Sequence, residues 1–246
     1  AKQQALLTAK RQAAYNRGPS CQEIFSLVGS ESMEVTFLGH SSFKIKGKTA
    51  SVVTDPYDAK MLGIKFPKVD ATIVTVSHDH PDHNQDGLIE NVTKVIKGPG
   101  EYEIAGISVI GLTSYHDDKK GELRGKNTIY IFEVDGIRIA HLGDLGHAIP
   151  EETLDKIGAV DILMIPVGGF YTIGPVQAME VVHAIEPSLI LPMHYQMPGL
   201  NPETFSKLLP VDEFLKEIAL PVETLPKLSI KKEEIQEGEK VVILEK

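Results

Sequence analysis

The stretch Ser77-His78-Asp79-His80-Pro81-Asp82-His83-Asn84 puts four candidate metal ligands, His78, His80, Asp82 and His83, into six consecutive residues. The whole chain has nine histidines, so three of them here are not a product of scattering. The octapeptide follows directly on the apolar run Ala71-Thr72-Ile73-Val74-Thr75-Val76, which reads as a buried strand. On extended backbone His78 and His80 project to one side. Pro81 then fixes the backbone at a bend, which turns Asp82 and His83 toward a second position. Imidazole and carboxylate are ligands that zinc, iron and manganese all accept. Cys21 is the one cysteine, so no thiolate cluster competes with this reading and no intramolecular disulfide can form.

One loop cannot complete two metal sites. Further candidates stand in Tyr115-His116-Asp117-Asp118, His141-Leu142-Gly143-Asp144 and Pro192-Met193-His194-Tyr195. Each follows or closes a strand-like run, and in a two-sheet sandwich such strand ends can converge on one edge. His141 reads as a core or rim residue rather than a ligand, His183 as packing or surface, and His147 as a loop residue. Tyr195 either contacts substrate or packs. The glycines of 168–174, ahead of a helix starting near Pro175, either offer free backbone N–H groups to an anion or only permit tight turning.

The elements that must position these residues alternate. Short strands are expected at 35–38, 42–45 and 50–54, with a turn at Lys46-Gly47-Lys48. The run 69–77 is a buried strand, and 88–94 reads as a partial helix leading into a strand. Hairpins turn at Ala105-Gly106 within 101–110 and at Asp135-Gly136 between 128–134 and 137–141. Helices are expected at 151–157, 175–185, 204–209 and 212–218, and strands at 160–166, 189–193 and 241–245. An internal echo links a hairpin, Asp55 and KVDATIVTVSH to a second hairpin, Asp144 and AVDILMIPVGG. Two β-rich halves, each with helices, suggest two sheets packed face to face with helices outside.

Composition sets the outer bounds. The 246 residues are 42% hydrophobic and 24% charged, as in an ordinary globular α/β chain. No apolar run approaches the roughly 18 residues that span a bilayer, and the start of the chain lacks the apolar core of a secretory signal, so a cytoplasmic protein is expected. A net charge of −9 argues against extended nucleic-acid binding, although an RNA substrate stays open. Residues 1–32, rich in Ala, Gln, Lys and Arg, read as an appended leader or a disordered extension, with a docking helix as the alternative. The domain proper then covers 33–246.

The ordered set FLGHSSFKI, VTDP, TVSHDHPDHN, SYHDD, AHLGD, DILMIPVGG and PMHY resembles the metallo-β-lactamase superfamily, from about Met33 onward. It is similar in particular to the subgroup of Zn-dependent hydrolases that includes ascorbate-6-phosphate lactonases and N-acyl phosphatidylethanolamine phospholipase D. The resemblance implies an αββα four-layer sandwich with a dinuclear metal site at one edge. His78, His80 and His116 would hold one metal, Asp82, His83 and His194 the other, and Asp144 would bridge them. Two Zn²⁺ ions are implied, with Mn²⁺ or Fe as alternatives. Such a pair shares a water, lowers its pKa towards about 7 and polarises the scissile bond, with Asp82 and Asp144 as catalytic carboxylates and Asp82 moving a proton. The superfamily's diiron redox branch typically carries Glu at the position of His80, so His80 favours hydrolysis. The resemblance also places His40 and Asp55 beside the ligands, where a carboxylate can orient a ligand imidazole.

The reaction implied is hydrolysis of an ester-like bond, a lactone or a phosphodiester, in a small-molecule substrate. The rivals are a nuclease or β-lactam hydrolase on the same metals, and a non-catalytic metal-dependent binding or sensing protein. The oligomeric state is not legible.

Overall fold

The computed structural model describes residues 32–236 and 238–246; apart from Ser32, the expected leader lies outside them. In chain order the first strands are β1 (Met33–Gly39), β2 (Ser42–Lys46), β3 (Ser51–Thr54), β4 (Ile73–Val76) and β5 (Lys94–Lys97). There follow β6 (Gly100–Ile104), β7 (Ile107–Tyr115), β8 (Lys126–Val134), β9 (Ile137–His141), β10 (Ile162–Pro166) and β11 (Leu189–Met193). The last are β12 (Val222–Leu225), β13 (Leu228–Ile230) and β14 (Lys240–Leu244). The helices are α1 (Ala59–Leu62), α2 (Glu151–Ile157), α3 (Pro175–Ile185), α4 (Pro202–Phe205) and α5 (Val211–Ile218).

The strands form two sheets, ordered β13-β1-β2-β3-β4-β5 and β12-β14-β11-β10-β9-β8-β7-β6. Strand β1 alternates as a half-buried strand should: Met33, Val35 and Phe37 are buried, while Glu34 and Thr36 are not. They join Phe43, Ile45 and Ile73 from the first sheet and Tyr130, Phe132 and Met164 from the second in one apolar layer between the sheets. Strands β3, β4, β10 and β11 are buried at every residue, because each is covered on its second face too. Val53 and Val74 pack outward on Leu62 of α1 and Phe205 of α4. Leu163, Ile165 and Ile190 pack outward on Ile157, Val182 and Phe214 of α2, α3 and α5. The result is the four-layer αββα sandwich.

Strand direction explains why the chemistry collects at one edge. β3 and β4 run parallel, as do β9, β10 and β11. β1 reaches β3, and β7 reaches β9, through one antiparallel neighbour each, so β1 and β7 share those directions. The C-terminal ends of β1, β3, β4, β7, β9 and β11 are followed by His40, Asp55, Ser77, His116, Leu142 and His194 respectively. A backbone bond from His194 N to His40 O, 2.9 Å, joins the ends of the two sheets.

Three local expectations change. The segment 88–94 is a 3₁₀ turn at Asp86–Leu88 followed by extended chain, and holds no α-helix. Asn91 takes φ 59°, which interrupts a helix, and Glu90 bridges to Asp70, which draws the segment out straight. The helix expected at 204–209 is the single turn α4, started by the Asn201 side chain accepting from Glu203 N. Strands β12 and β13, which edge the two sheets, lie in a stretch with no strand expectation at all. No helix among the described residues is long and apolar enough to cross a membrane.

Candidate metal centre

The edge brings two donor groups together. His78, His80 and His116 each contribute an atom within 4.8 Å of the others, as do His40, Asp82, His83 and His194. Asp144 joins them: its Oδ2 lies 3.1 Å from Nε2 of both His116 and His194, 3.3 Å from that of His83 and 3.8 Å from that of His78. The seven residues that the resemblance assigns to metal, His78, His80, Asp82, His83, His116, Asp144 and His194, are therefore at this place. His141 is not: its Nε2 donates to Ser41 O (2.8 Å) and its Nδ1 accepts from Gly143 N, so both ring nitrogens are used inside the fold. His147 ties the start of its loop to Tyr115 N, and His183 is exposed on α3. Tyr195 is buried with the outer core of the second sheet, its ring 6.5 Å from that of Phe37 in the inner layer, and does not line the cavity above the cup.

The donor atoms fit divalent cations. Nε2 of His78, Nε2 of His83 and Oδ1 of Asp144 are buried without a hydrogen-bond partner. A buried polar atom left unpaired costs about 1–3 kcal/mol, and a set of them facing one volume is the chemistry of a coordination site.

Asp55 sits beneath the cup and sets the tautomers there. A carboxylate only accepts, so His83 Nδ1–H donates to Asp55 Oδ2 at 2.9 Å, which leaves His83 Nε2 facing the cup. The Ser77 hydroxyl also donates to Asp55 Oδ2, at 2.6 Å, and so must accept from His78 Nδ1–H at 2.9 Å. Its backbone N–H fixes the other carboxylate oxygen at 2.8 Å. One carboxylate thereby orients two imidazoles, one directly and one through a hydroxyl. His40 Nε2 lies 3.3 Å from Asp82 Oδ2 and steadies that carboxylate.

The backbone is held in unusual conformations at the same place. His40, Asp55 and His194 have φ of 58°, 40° and 53°, in the left-handed region. Each costs on the order of 1 kcal/mol or more for an L side chain. The next-door hydrogen bonds that fix Asp55 and His194 oppose relaxation.

Burial opposes charge throughout the cup, and the neighbours decide the outcome. Asp144 is held well below the usual carboxylate range against burial by His194, His83 and His116. Asp82 and Asp55 are lowered in the same way, chiefly by His83. His83 rises well above 6.5 despite burial, because Asp144 and Asp82 face it. His40 goes the other way: burial, then His194, pushes it down to about 4, with Asp82 opposing. In the metal-free protein the unfolded chain therefore takes a proton at this histidine near pH 6.5, and the folded chain only near 4. The stability tied to neutral His40 is intact above 6.5 and is lost as pH falls through that window, to the extent of about 3 kcal/mol. His78 and His80 are lowered too and add to the same slope. Urea denaturation of chelator-treated protein at pH 7.5 and pH 5 should show about 2 kcal/mol of this loss, offset in part by His83, whose raised pKa adds stability as pH falls toward 6.5, and His40→Asn should lose measurably less. Equal losses in the two proteins would exclude His40 as a source.

Several working residues carried no signal in the sequence. Asn127, buried on β8, accepts from Asp144 N at 3.0 Å and donates to Leu142 O and to Ser114 Oγ, which fixes the turn that presents Asp144. That turn needs Gly143: φ is 55°, and a Cβ there would strike Asn127 Oδ1 and the Ser77 side chain. Asp117 accepts backbone N–H bonds from Lys119, Gly121, Leu123 and Arg124 at 2.8–3.0 Å, so one carboxylate shapes the loop between β7 and β8. Those bonds hold its carboxyl down to about 2. Of the 168–174 loop, Tyr171 lines the cavity, whereas the start of α3 does not.

Residues 34–194 match the family described as Beta-lactamase superfamily domain. A protein from Thermotoga maritima described as a Zn-dependent hydrolase of the metallo-beta-lactamase superfamily superposes with a TM-score of 0.72 at 36% identity, over 86% of this chain and 98% of that one. A UPF0173 metal-dependent hydrolase from Thermococcus onnurineus is 28% identical over 206 residues, covering 72% of this chain and 92% of its own. A metallo hydrolase from Ignicoccus hospitalis, at 21% identity and TM-score 0.58, shares the fold. The chain belongs to the metallo-β-lactamase superfamily. Within it, the chain stands among the metal-dependent hydrolases.

Proposed function

We propose that this protein hydrolyses an ester-like bond, a lactone or a phosphodiester, in a small molecule, with two divalent cations, zinc foremost, held in the cup. His78, His80 and His116 would hold one cation, Asp82, His83 and His194 the other, and Asp144 both. The observation that carries the reading is the pair of buried donor groups meeting at Asp144, with ring nitrogens that lack partners. When bound, two such ions supply an acidified shared water and polarise the carbonyl or phosphoryl oxygen. The chain's own part is positional. Asp55 and Ser77 hold His83 and His78 with Nε2 inward, and Asn127 holds the turn of Asp144. Asp82, steadied by His40, lines the cavity and is placed to take up or return a proton as the bond breaks. The acidic chain, with net charge −9, supports a small substrate over a nucleic acid.

The test is elemental analysis of protein purified without chelators, with turnover of lactones, phosphodiesters, RNA and β-lactams measured before and after metal removal. About two ions per chain and turnover restored by metal are expected. His80→Ala should lose metal from one position and abolish turnover; full activity at unchanged metal content would sink the assignment. A folded protein that neither binds metal nor turns over any substrate would move the reading to a binding protein.

A further inference from the structure

Above the cup lies a cavity of about 290 Å³, at the small end for ligand sites. Its floor is His80, Asp82, His116, Asp144 and His194, and its walls include Met61, Leu123, Tyr171 and Phe205. One cationic side chain, Arg124, lines it. Two features fix that side chain. The backbone N–H of Arg124 is bonded to Asp117, at 2.8 Å, so the end of the loop is set. Its guanidinium donates through Nη2 to Phe170 O at 3.1 Å and lies over the Tyr171 ring, 5.7 Å from the centroid. Tyr171 is itself anchored by its hydroxyl to Thr204 O at 2.7 Å.

What Arg124 lacks is an acid. Among the described residues no carboxylate lies within 4.0 Å of it, whereas Arg138, the other arginine among them, is paired with Glu133 at 2.6 Å. A guanidinium carries five N–H donors in a rigid fork suited to carboxylate or phosphate; one of these is bonded within the protein. A half-buried, pre-positioned cation with free donors, on a wall whose other residues are largely apolar, is a receptor for an oxyanion. The acids of the floor do not answer it, because they belong to the cation cup.

We propose that Arg124 recognises an anionic group of the substrate, so that the molecule hydrolysed carries a carboxylate or phosphate apart from the bond that is cleaved. The inference rests on the metal-hydrolase reading for the far end of the ligand. It deepens that reading by naming the substrate class: a small acid with an apolar middle that lies along Tyr171, Phe205 and Met61.

The test uses binding, so that it does not depend on finding the substrate. Zinc-loaded protein is titrated calorimetrically with dicarboxylates from malonate to adipate, with monocarboxylates of equal length, and with 3-phosphonopropionate. The wild type should bind one dicarboxylate at least about tenfold more tightly than its monocarboxylate, as a second charge-assisted contact allows. Arg124→Ala should bring that ratio to within about twofold at unchanged metal content. Arg124→Gln, which keeps a donor for Phe170 O but no charge, should behave as Arg124→Ala, and Arg124→Lys should keep part of the preference. A stronger preference for the phosphono acid would assign the group as phosphate; for the dicarboxylate, as carboxylate. Metal-loaded wild type with no preference for the dianion, or a preference that survives in Arg124→Gln, would overturn the proposal while leaving the hydrolase reading intact. Wild type that takes up no zinc would overturn both.

Discussion

Asp144→Ala should bring bound metal below one ion per chain and lower kcat/KM by about 1000-fold or more. No other residue touches so much of the cup: its Oδ2 lies 3.1–3.8 Å from Nε2 of His78, His83, His116 and His194. Its removal leaves these imidazoles facing one another with Asp82 as the remaining inward carboxylate. It also strips His83 of the neighbour that does most to keep it protonated in the metal-free chain. Asp144→Asn separates charge from volume. It fills the same space but cannot neutralise two dications, so it should retain the fold and still lose most metal and rate. Circular dichroism would show both variants folded, elemental analysis would report the metal, and turnover would report the chemistry. Near-normal metal content and rate in Asp144→Asn would remove Asp144 from the shared position.

Gly168→Ala should be nearly as damaging, from a residue that has no functional group. The end of β10 runs so close to the end of β11 that a Cβ on Gly168 would collide with His194 O and stand 2.9 Å from Tyr195 Cα. The His194 backbone cannot give way freely, since its N–H is bonded to His40 O and its φ is already left-handed. The added methyl must therefore push His194 as a whole. A displacement of about 1 Å in a reacting geometry costs about 100-fold in rate, and overpacking of a tight site costs about 1–3 kcal/mol, or about 5 °C in melting temperature. Gly87→Ala is the control, because a Cβ there meets nothing within 4 Å. Wild-type rate and melting in Gly168→Ala would show that the close approach is not what holds His194.

The candidate ligands were legible because metal chemistry needs rare residue types at strand ends, and strand ends are visible in the apolar pattern. His78 to His83 form one local motif, and His116, Asp144 and His194 each follow an apolar run. The supporting residues were not legible, for a physical reason. Ser77, Asn127 and Asp117 act through hydrogen bonds to backbone or to neighbours brought close by folding, and their types are common everywhere. Asn127 looks like any polar residue at the start of a strand; only the turn at Gly143, packed on its side chain, gives it a role. Arg124 sits in the run Asp117-Asp118-Lys119-Lys120-Gly121-Glu122-Leu123-Arg124, whose charges read as a solvated loop. The sheet edges failed differently. β12 is exposed along most of its length and carries Glu223, so its sequence has no apolar alternation to read.

The loop shaped by Asp117 separates two kinds of inheritance. Its hydrogen bonds are spent on its own backbone, within one carboxylate's reach, so its form depends little on which side chains stand at 118, 119, 122 and 123, whereas Lys120 (φ 57°) and Gly121 (φ 84°) hold left-handed backbone that limits replacement. His116 precedes the loop and closes it, its backbone N–H donating to Gly125 O at 3.1 Å, and Asn127 follows it, held by Asp144, Leu142 and Ser114. A lineage can therefore rewrite the residues proposed to meet the substrate, Leu123 and Arg124 among them, while the backbone that presents His116 keeps its form. The same partition makes 118–124 the natural cassette for transplanting one relative's substrate preference onto another's metal centre.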